Sequence, residues 1–175
     1  MTVVVDTNVP VVANSRSGQA SPDCVLVCLQ RLDRITRTGR VALDDQWRII
    51  REYQANLRSS GQPGVGDAFL KWILTNLANP ERCELVSITP VGDETNFQEF
   101  PSDTALRRFD PSDRKFVAVA LAHSQHPPII QAIDSKWWEF RIPLRRNGVK
   151  VEFLCQQDLQ RLQTLKGKRG RRRNK

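Results

Sequence analysis

The chain has 175 residues, 26% of them charged, and a formal net charge of +8. That length suits one domain with a core of its own, and no unbroken apolar run is long enough for a membrane span. Seven of the 27 Lys and Arg residues lie between Lys166 and Lys175, where there is no acid; without them the body carries 20 basic against 19 acidic residues, so the basicity belongs to a tail. This composition predicts a disordered segment over 166–175 that attracts phosphate backbones without reading their sequence. Its candidate contacts are Lys168, Arg169, Arg171, Arg172 and Arg173.

The N-terminus opens directly into the β-branched run Val3-Val4-Val5, with no basic stretch followed by an apolar one. No signal peptide and a cytoplasmic location are therefore expected. The four cysteines (Cys24, Cys28, Cys83, Cys155) are scattered. The first two, four apart, share a helix face but lack further His or Cys to complete a zinc site, so buried thiols are expected.

The opening run is apolar on both faces and ends in Asp6-Thr7-Asn8, as a central strand of a parallel sheet does. Residues 10 to 20 read as loop. Ser21-Pro22-Asp23 starts a helix, with a Ser cap, Pro at the first position and an acid in the first turn. Val25, Leu26, Leu29, Leu32 and Ile35 carry it on. After Gly39, Val41-Ala42-Leu43 reads as a second strand. Asp44 or Asp45 then caps a helix over 46–58 with the stripe Trp47, Ile49, Ile50, Tyr53 and Leu57, and Glu52 lies off its centre.

A Gly/Pro-rich break over 59–66 precedes a helix over 69–77, closed by Asn79-Pro80. Residues 84–88 read as a strand and 89–109 as a polar connection. Asp110-Pro111-Ser112-Asp113 repeats the helix-start logic for a helix reaching His123, which Pro127-Pro128 stops. Ile129 to Ile133 is another buried strand, with Asp134 at its end, followed by the aromatic segment Trp137, Trp138 and Phe140. Asn147-Gly148 suits a hairpin, but Pro143 disfavours an arm over 138–144, which leaves one final strand over 149–154. A last helix spans 158–165. Alternating strands and helices predict a three-layer α/β/α sandwich around a mostly parallel sheet.

Ligands of such sheets sit outside the carboxyl ends of the strands. Asp6 and Asp134 each follow a buried strand, Asp113 stands in a first helical turn that stabilises a carboxylate, and Glu52 follows the second strand. If these elements are neighbours, four carboxylates share one crevice and raise each other's pKa. A hard divalent cation, Mg²⁺ or Mn²⁺, resolves that conflict through oxygen ligands. It also suits phosphodiester hydrolysis, by activating water and neutralising the leaving oxygen. Asp110 competes with Asp113 for the ligand role, while Asp44 and Asp45 read as caps. His123 and His126 beside the Pro-Pro turn read as helix-end or surface residues. Arg114 and Lys115 border the crevice and are candidate phosphate contacts.

Four runs carry a resemblance: Val-Val-Val-Asp-Thr-Asn-Val from Val3, Trp-Arg-Ile-Ile-Arg-Glu-Tyr from Trp47, Asp-Pro-Ser-Asp-Arg-Lys-Phe-Val-Ala-Val-Ala-Leu-Ala-His from Asp110, and Ala-Ile-Asp-Ser-Lys-Trp-Trp from Ala132. In this order, across roughly residues 1–160, they resemble the PIN-domain ribonuclease family. The resemblance implies a Rossmann-like fold and an Mg²⁺- or Mn²⁺-dependent endonuclease acting mostly on RNA. Asp6, Glu52, Asp113 and Asp134 match the four family acids, and Asn8 the polar residue supporting the first. Ala132 stands where the family often has Thr or Ser, and Lys136 where a further Asp is frequent. The resemblance also implies an antitoxin or other regulatory protein as partner, allows a homodimer, and involves no membrane. A PIN-like RNA-binding or scaffold module with a weak metal site is the alternative.

Overall fold

The computed structural model of the chain describes the backbone except at residues 59, 62, 174 and 175, and the side chains except there and at 93, 94 and 166–173. Every residue of β1 (Thr2–Val5) is buried. A strand covered on both faces belongs inside a sheet with helices above and below it. β1 is flanked in parallel by β2 (Arg40–Asp44) and β6 (Ile129–Gln131). β3 (Cys83–Val86) extends the sheet beyond β2, and β7 (Val151–Phe153) extends it beyond β6. The order β3-β2-β1-β6-β7 is all parallel, and its winding reverses between β1 and β6.

α1 (Asn8–Ala13), α2 (Pro22–Thr38) and α4 (Val65–Asn76) pack on one another, while α5 (Arg114–Ala122) packs on α3 (Arg48–Asn56) and runs along β1, β2 and β6. α6 (Ser135–Glu139), α7 (Arg141–Arg146) and α8 (Gln156–Arg173) complete the described helices. The result is the expected three-layer α/β/α sandwich. Its fully buried side chains include Tyr53, Phe69, Phe109, Phe116 and Trp137. Among the described residues, no helix is long and apolar enough to cross a membrane.

Local chemistry explains most element starts. Ser21 Oγ accepts from Cys24 N at 3.2 Å, with Pro22 at the first position of α2. The Asp44 carboxylate, fully buried, accepts from Arg48 N at 2.9 Å and Ile49 N at 2.8 Å, which holds the first turn of α3. That helix starts at Arg48 rather than at 46 because Trp47 is left-handed (φ 63°), and Trp47 is largely exposed instead of joining the apolar stripe.

Several expectations need correction. Residues 10–20 do not begin as loop: α1 occupies Asn8–Ala13, and Pro10 lies in its first turn, where a missing N–H costs nothing. α4 begins at Val65 because Asn14 Oδ1 accepts from Gly66 N at 2.9 Å and Asp67 Oδ2 accepts from Gly64 N at 3.1 Å. Gly66 permits this junction, since a Cβ there would lie 1.9 Å from the Pro10 carbonyl oxygen. The connection over 89–109 contains a hairpin, β4 (Pro90–Val91) with β5 (Asp93–Phe97), turned at Gly92 (φ 71°). The hairpin arm disfavoured by Pro143 is indeed absent: residues 138–144 fall across α6 and α7, and the single final strand, β7, pairs in parallel with β6.

Two cysteines expected as free thiols are bonded, Cys24 to Cys155 across 131 residues, leaving Cys28 and Cys83 free and buried. The bond forms because β7 ends beside the N-terminus of α2, a proximity set by the sheet order. The final helix runs to Arg173. It therefore covers most of the segment read as disordered, while the phosphate contacts expected there rest on side chains beyond 165, which lie outside the described residues.

Candidate active site

The winding reversal between β1 and β6 opens a crevice at their carboxyl ends. Asp6 follows β1 there and is only 4% exposed. Its Oδ1 accepts from Asn8 N at 2.9 Å, while Asn8 Oδ1 accepts from Ala132 N at 2.9 Å. The Asn8 side chain thus ties the ends of β1 and β6 together, while only its backbone N–H reaches Asp6.

The acids act on one another. Burial raises the pKa of Asp6 well above the usual carboxylate range, and the charges of Asp113, Glu52 and Asp134 push it further, against the hydrogen bond from Asn8 N. Asp113 is raised to about 7, first by burial and then by Asp134, Asp110 and Glu52, with Lys115 opposing. Each of the four acids therefore lies within electrostatic reach of the same crevice. Burial, more than mutual repulsion, is the larger cause at both titrating centres.

The remaining carboxylates are partly committed. Glu52 forms an ion pair with Lys115, whose ammonium also donates to Ser112 O. Asp134 caps α6, accepting from Lys136 N at 2.7 Å. Asp110 caps the 3-10 turn Pro111–Asp113 and accepts from Lys136 Nζ at 2.8 Å; that contact and the Ser112 hydroxyl lower its pKa to about 2. Of the two competing aspartates, Asp110 is therefore already neutralised by a lysine.

The neighbouring cations are not free. The Arg114 guanidinium donates to Asn96 Oδ1 at 3.2 Å, Arg107 O at 3.2 Å and Phe109 O at 3.4 Å, and lies 4.9 Å from the Phe100 ring centroid. It braces the segment around the hairpin through its two terminal nitrogens, while Nε is buried without a hydrogen-bond partner. His123 lies apart from the crevice, at the end of α5, with Nε2 2.6 Å from Glu84 Oε2. His126 is exposed.

Two contributions escaped the sequence. Trp137, fully buried, donates from Nε1 to Asp113 Oδ2 at 3.0 Å and so aims that carboxylate. Tyr53 donates from its hydroxyl to Val5 O at 2.5 Å, placing α3, and with it Glu52, against the end of β1. The only signal for either was an aromatic on an otherwise apolar face, which ordinary core residues also give.

The donor set bears on the metal question. All four acids offer oxygen alone, which fits a hard divalent cation. Thr7 Oγ1, buried and without a hydrogen-bond partner, adds an uncommitted oxygen next to Asp6 in the chain. Among the described residues, the only group of three or more His, Cys, Asp or Glu side chains with donor atoms all within 4.8 Å is Cys24, Cys28 and Cys155, and two of those sulfurs are bonded to each other. Among the described residues, no three of the carboxylates bring oxygens that close together.

Fold and site together define an α/β/α sandwich with one buried and three half-buried acids gathered at its topological switch point. The chain matches no protein-family model, no curated protein and no solved structure.

Proposed function

We propose that the chain is a divalent-metal-dependent endoribonuclease of the PIN-domain type, hydrolysing single-stranded RNA to leave a 5′-phosphate and a 3′-hydroxyl. One observation carries the reading: Asp6, Glu52, Asp113 and Asp134, from four separate elements, bear on each other electrostatically at the switch point of the sheet. Burying like charges is costly. A fold that does so without a compensating cation at each acid is organised for a positively charged ligand. Mg²⁺ or Mn²⁺ supplies an activated water and charge neutralisation at the leaving oxygen. Asp6, Glu52, Asp113 and Asp134 would hold the cation; the backbone N–H of Asn8 braces Asp6 and Trp137 Nε1 braces Asp113. The basic tail holds substrate loosely through its phosphates.

The setting we favour is a toxin of a toxin–antitoxin pair, or a defence or RNA-processing nuclease, restrained by a regulatory protein. A cytoplasmic location and the Cys24–Cys155 bond pull in opposite directions, because cytosolic thiols are kept reduced. Alkylation and non-reducing electrophoresis of freshly lysed cells decides between them. The second reading, an RNA-binding module with a weak metal site, draws on the Lys115–Glu52 pair, which already fills part of the cationic role.

The test is cleavage of a mixed single-stranded RNA with Mn²⁺ or EDTA, by the wild type and Asp6→Asn. Metal-dependent cutting that disappears in the variant is expected. Cutting that survives Asp6→Asn refutes the site. RNA retained but uncut by the wild type, with single-stranded DNA also intact, favours the binding module.

A further inference from the structure

The β7 edge of the sheet presents a second feature, independent of the carboxylates. β7 is an edge strand, paired on one side only. Ile129 N donates to Lys150 O at 2.8 Å and Leu154 N to Gln131 O at 2.9 Å, with Val151 opposite Ile129 and Phe153 opposite Gln131. In a parallel ladder, this register turns the backbone groups of 150, 152 and 154 towards β6. The N–H and C=O of Val151 and Phe153 face outward, and among the described residues they have no hydrogen-bond partner.

Beside this open edge lies a cavity of about 700 Å³, bounded by α7 and β7. Arg141, Arg145 and Lys150 supply its charge, Ile142, Val151 and Phe153 its apolar surface, and no acid lines it. Arg141 is held in place, donating to Trp138 O at 2.8 Å and lying 4.6 Å from that ring's centroid. Arg145 and Lys150 are exposed and, among the described residues, have no acidic partner. Glu152, the one acid on the strand, is paired with Arg31 at 2.7 Å on the α2 side. Ile142 is 67% exposed, high for a large aliphatic side chain bordering a cavity.

We infer that the β7 edge and the groove beside α7 bind an extended, acidic segment of a partner protein, which adds to the sheet as a further strand. Backbone pairing with Val151 and Phe153 supplies affinity, and alternate side chains supply specificity, apolar ones onto Ile142 and Phe153 and carboxylates onto Arg145 and Lys150. The charge selects the occupant. A second copy of this edge brings the same three cations and is repelled, and the chain's own tail, with seven cations and no acid, is repelled as well. A nucleic-acid backbone satisfies the cations, but its phosphates have no donor for the outward carbonyls and it has no need of the apolar wall.

The experiment uses the full chain in EDTA, so it reads nothing from metal or RNA cleavage and stands or falls separately from the nuclease. Three fluorescein-labelled probes are compared by anisotropy: an octapeptide alternating valine with glutamate, a glutamate homopolymer of equal charge, and a single-stranded RNA. Hydrogen exchange is followed at the amides of Val151 and Phe153. The expected result is preferential binding of the alternating peptide, with both amides slowed about tenfold or more as they gain strand partners. Arg145→Glu with Lys150→Glu, both exposed positions, weakens that binding by about tenfold or more. Val151→Pro, tolerable on an edge whose N–H faces outward, removes the protection of the Phe153 amide, the one of the two that this variant keeps. Equal binding of the homopolymer, binding without protection of the two amides, preferential protection by RNA, or no binding of the alternating peptide at millimolar concentration each overturns the inference.

Discussion

Replacing Asp113 by Asn separates what the acidic crevice costs from what it does. The pKa of about 7 for Asp113 lies above the ~3.9 of an aspartate in an unfolded chain. The folded protein therefore holds this proton more tightly than the unfolded chain does. The stability linked to it is fully present below about pH 4 and is lost as pH rises through about 7. Roughly three pKa units at 1.36 kcal/mol each set a ceiling of about 4 kcal/mol. Because Asp113 shares its repulsion with Asp134 and Asp110, half of that, about 2 kcal/mol, is the working expectation. Asn keeps an oxygen for the Trp137 Nε1 bond and removes the charge. In EDTA at pH 8, Asp113→Asn should raise Tm by roughly 4–8 °C. At pH 4 the gain should vanish, because the wild-type carboxyl is then protonated. The assay is thermal denaturation by circular dichroism across that pH range. A variant no more stable than wild type at pH 8, or equally stabilised at both pH values, refutes the claim that this carboxylate is held against its own charge.

Two further outcomes follow from the same chemistry. Asp44→Ala strips two backbone N–H groups of a buried carboxylate acceptor and should cost about 3 kcal/mol in urea denaturation; the loss of α3 should also displace Glu52 and abolish metal-dependent cleavage. Reducing the Cys24–Cys155 bond, or replacing both residues with Ser, releases a loop of 131 residues, for which loop closure gives about 5 kcal/mol as the upper end. An unchanged denaturation midpoint in dithiothreitol would mean that the pair contributes nothing in solution.

The parts of the fold legible in the sequence were those specified locally. Val3-Val4-Val5 announces a strand buried on both faces, Ser21-Pro22 and Asp110-Pro111 announce helix starts, and acids placed directly after buried strands point to one crevice because parallel strands end on the same side. What escaped depends on distance. Trp137 reads as a core aromatic until the fold brings it to Asp113, 24 residues away. Cys24 and Cys155 meet only because β7 closes the sheet beyond β6. β4 and β5 are short and mostly exposed around Gly92, so they lack the alternation that marks a half-buried strand. Asp67, which accepts from Gly64 N, Arg58 N and Asn14 Nδ2 and so anchors the segment read as a Gly/Pro-rich break, looks like any acid in a first helical turn.

The disulfide also draws a boundary through the sheet. Residues 24 to 155 form a covalent ring containing β2, β3, β6 and β7, while β1, the middle strand and the one that delivers Asp6, lies outside it on the free N-terminal arm. In the oxidised chain, the ring holds the two neighbours of an empty central slot, and the arm fills that slot from outside. The most buried acid of the site is thus carried by the one strand of the main sheet outside the ring, and its place depends on pairing with β2 and β6 alone, with no covalent closure behind it.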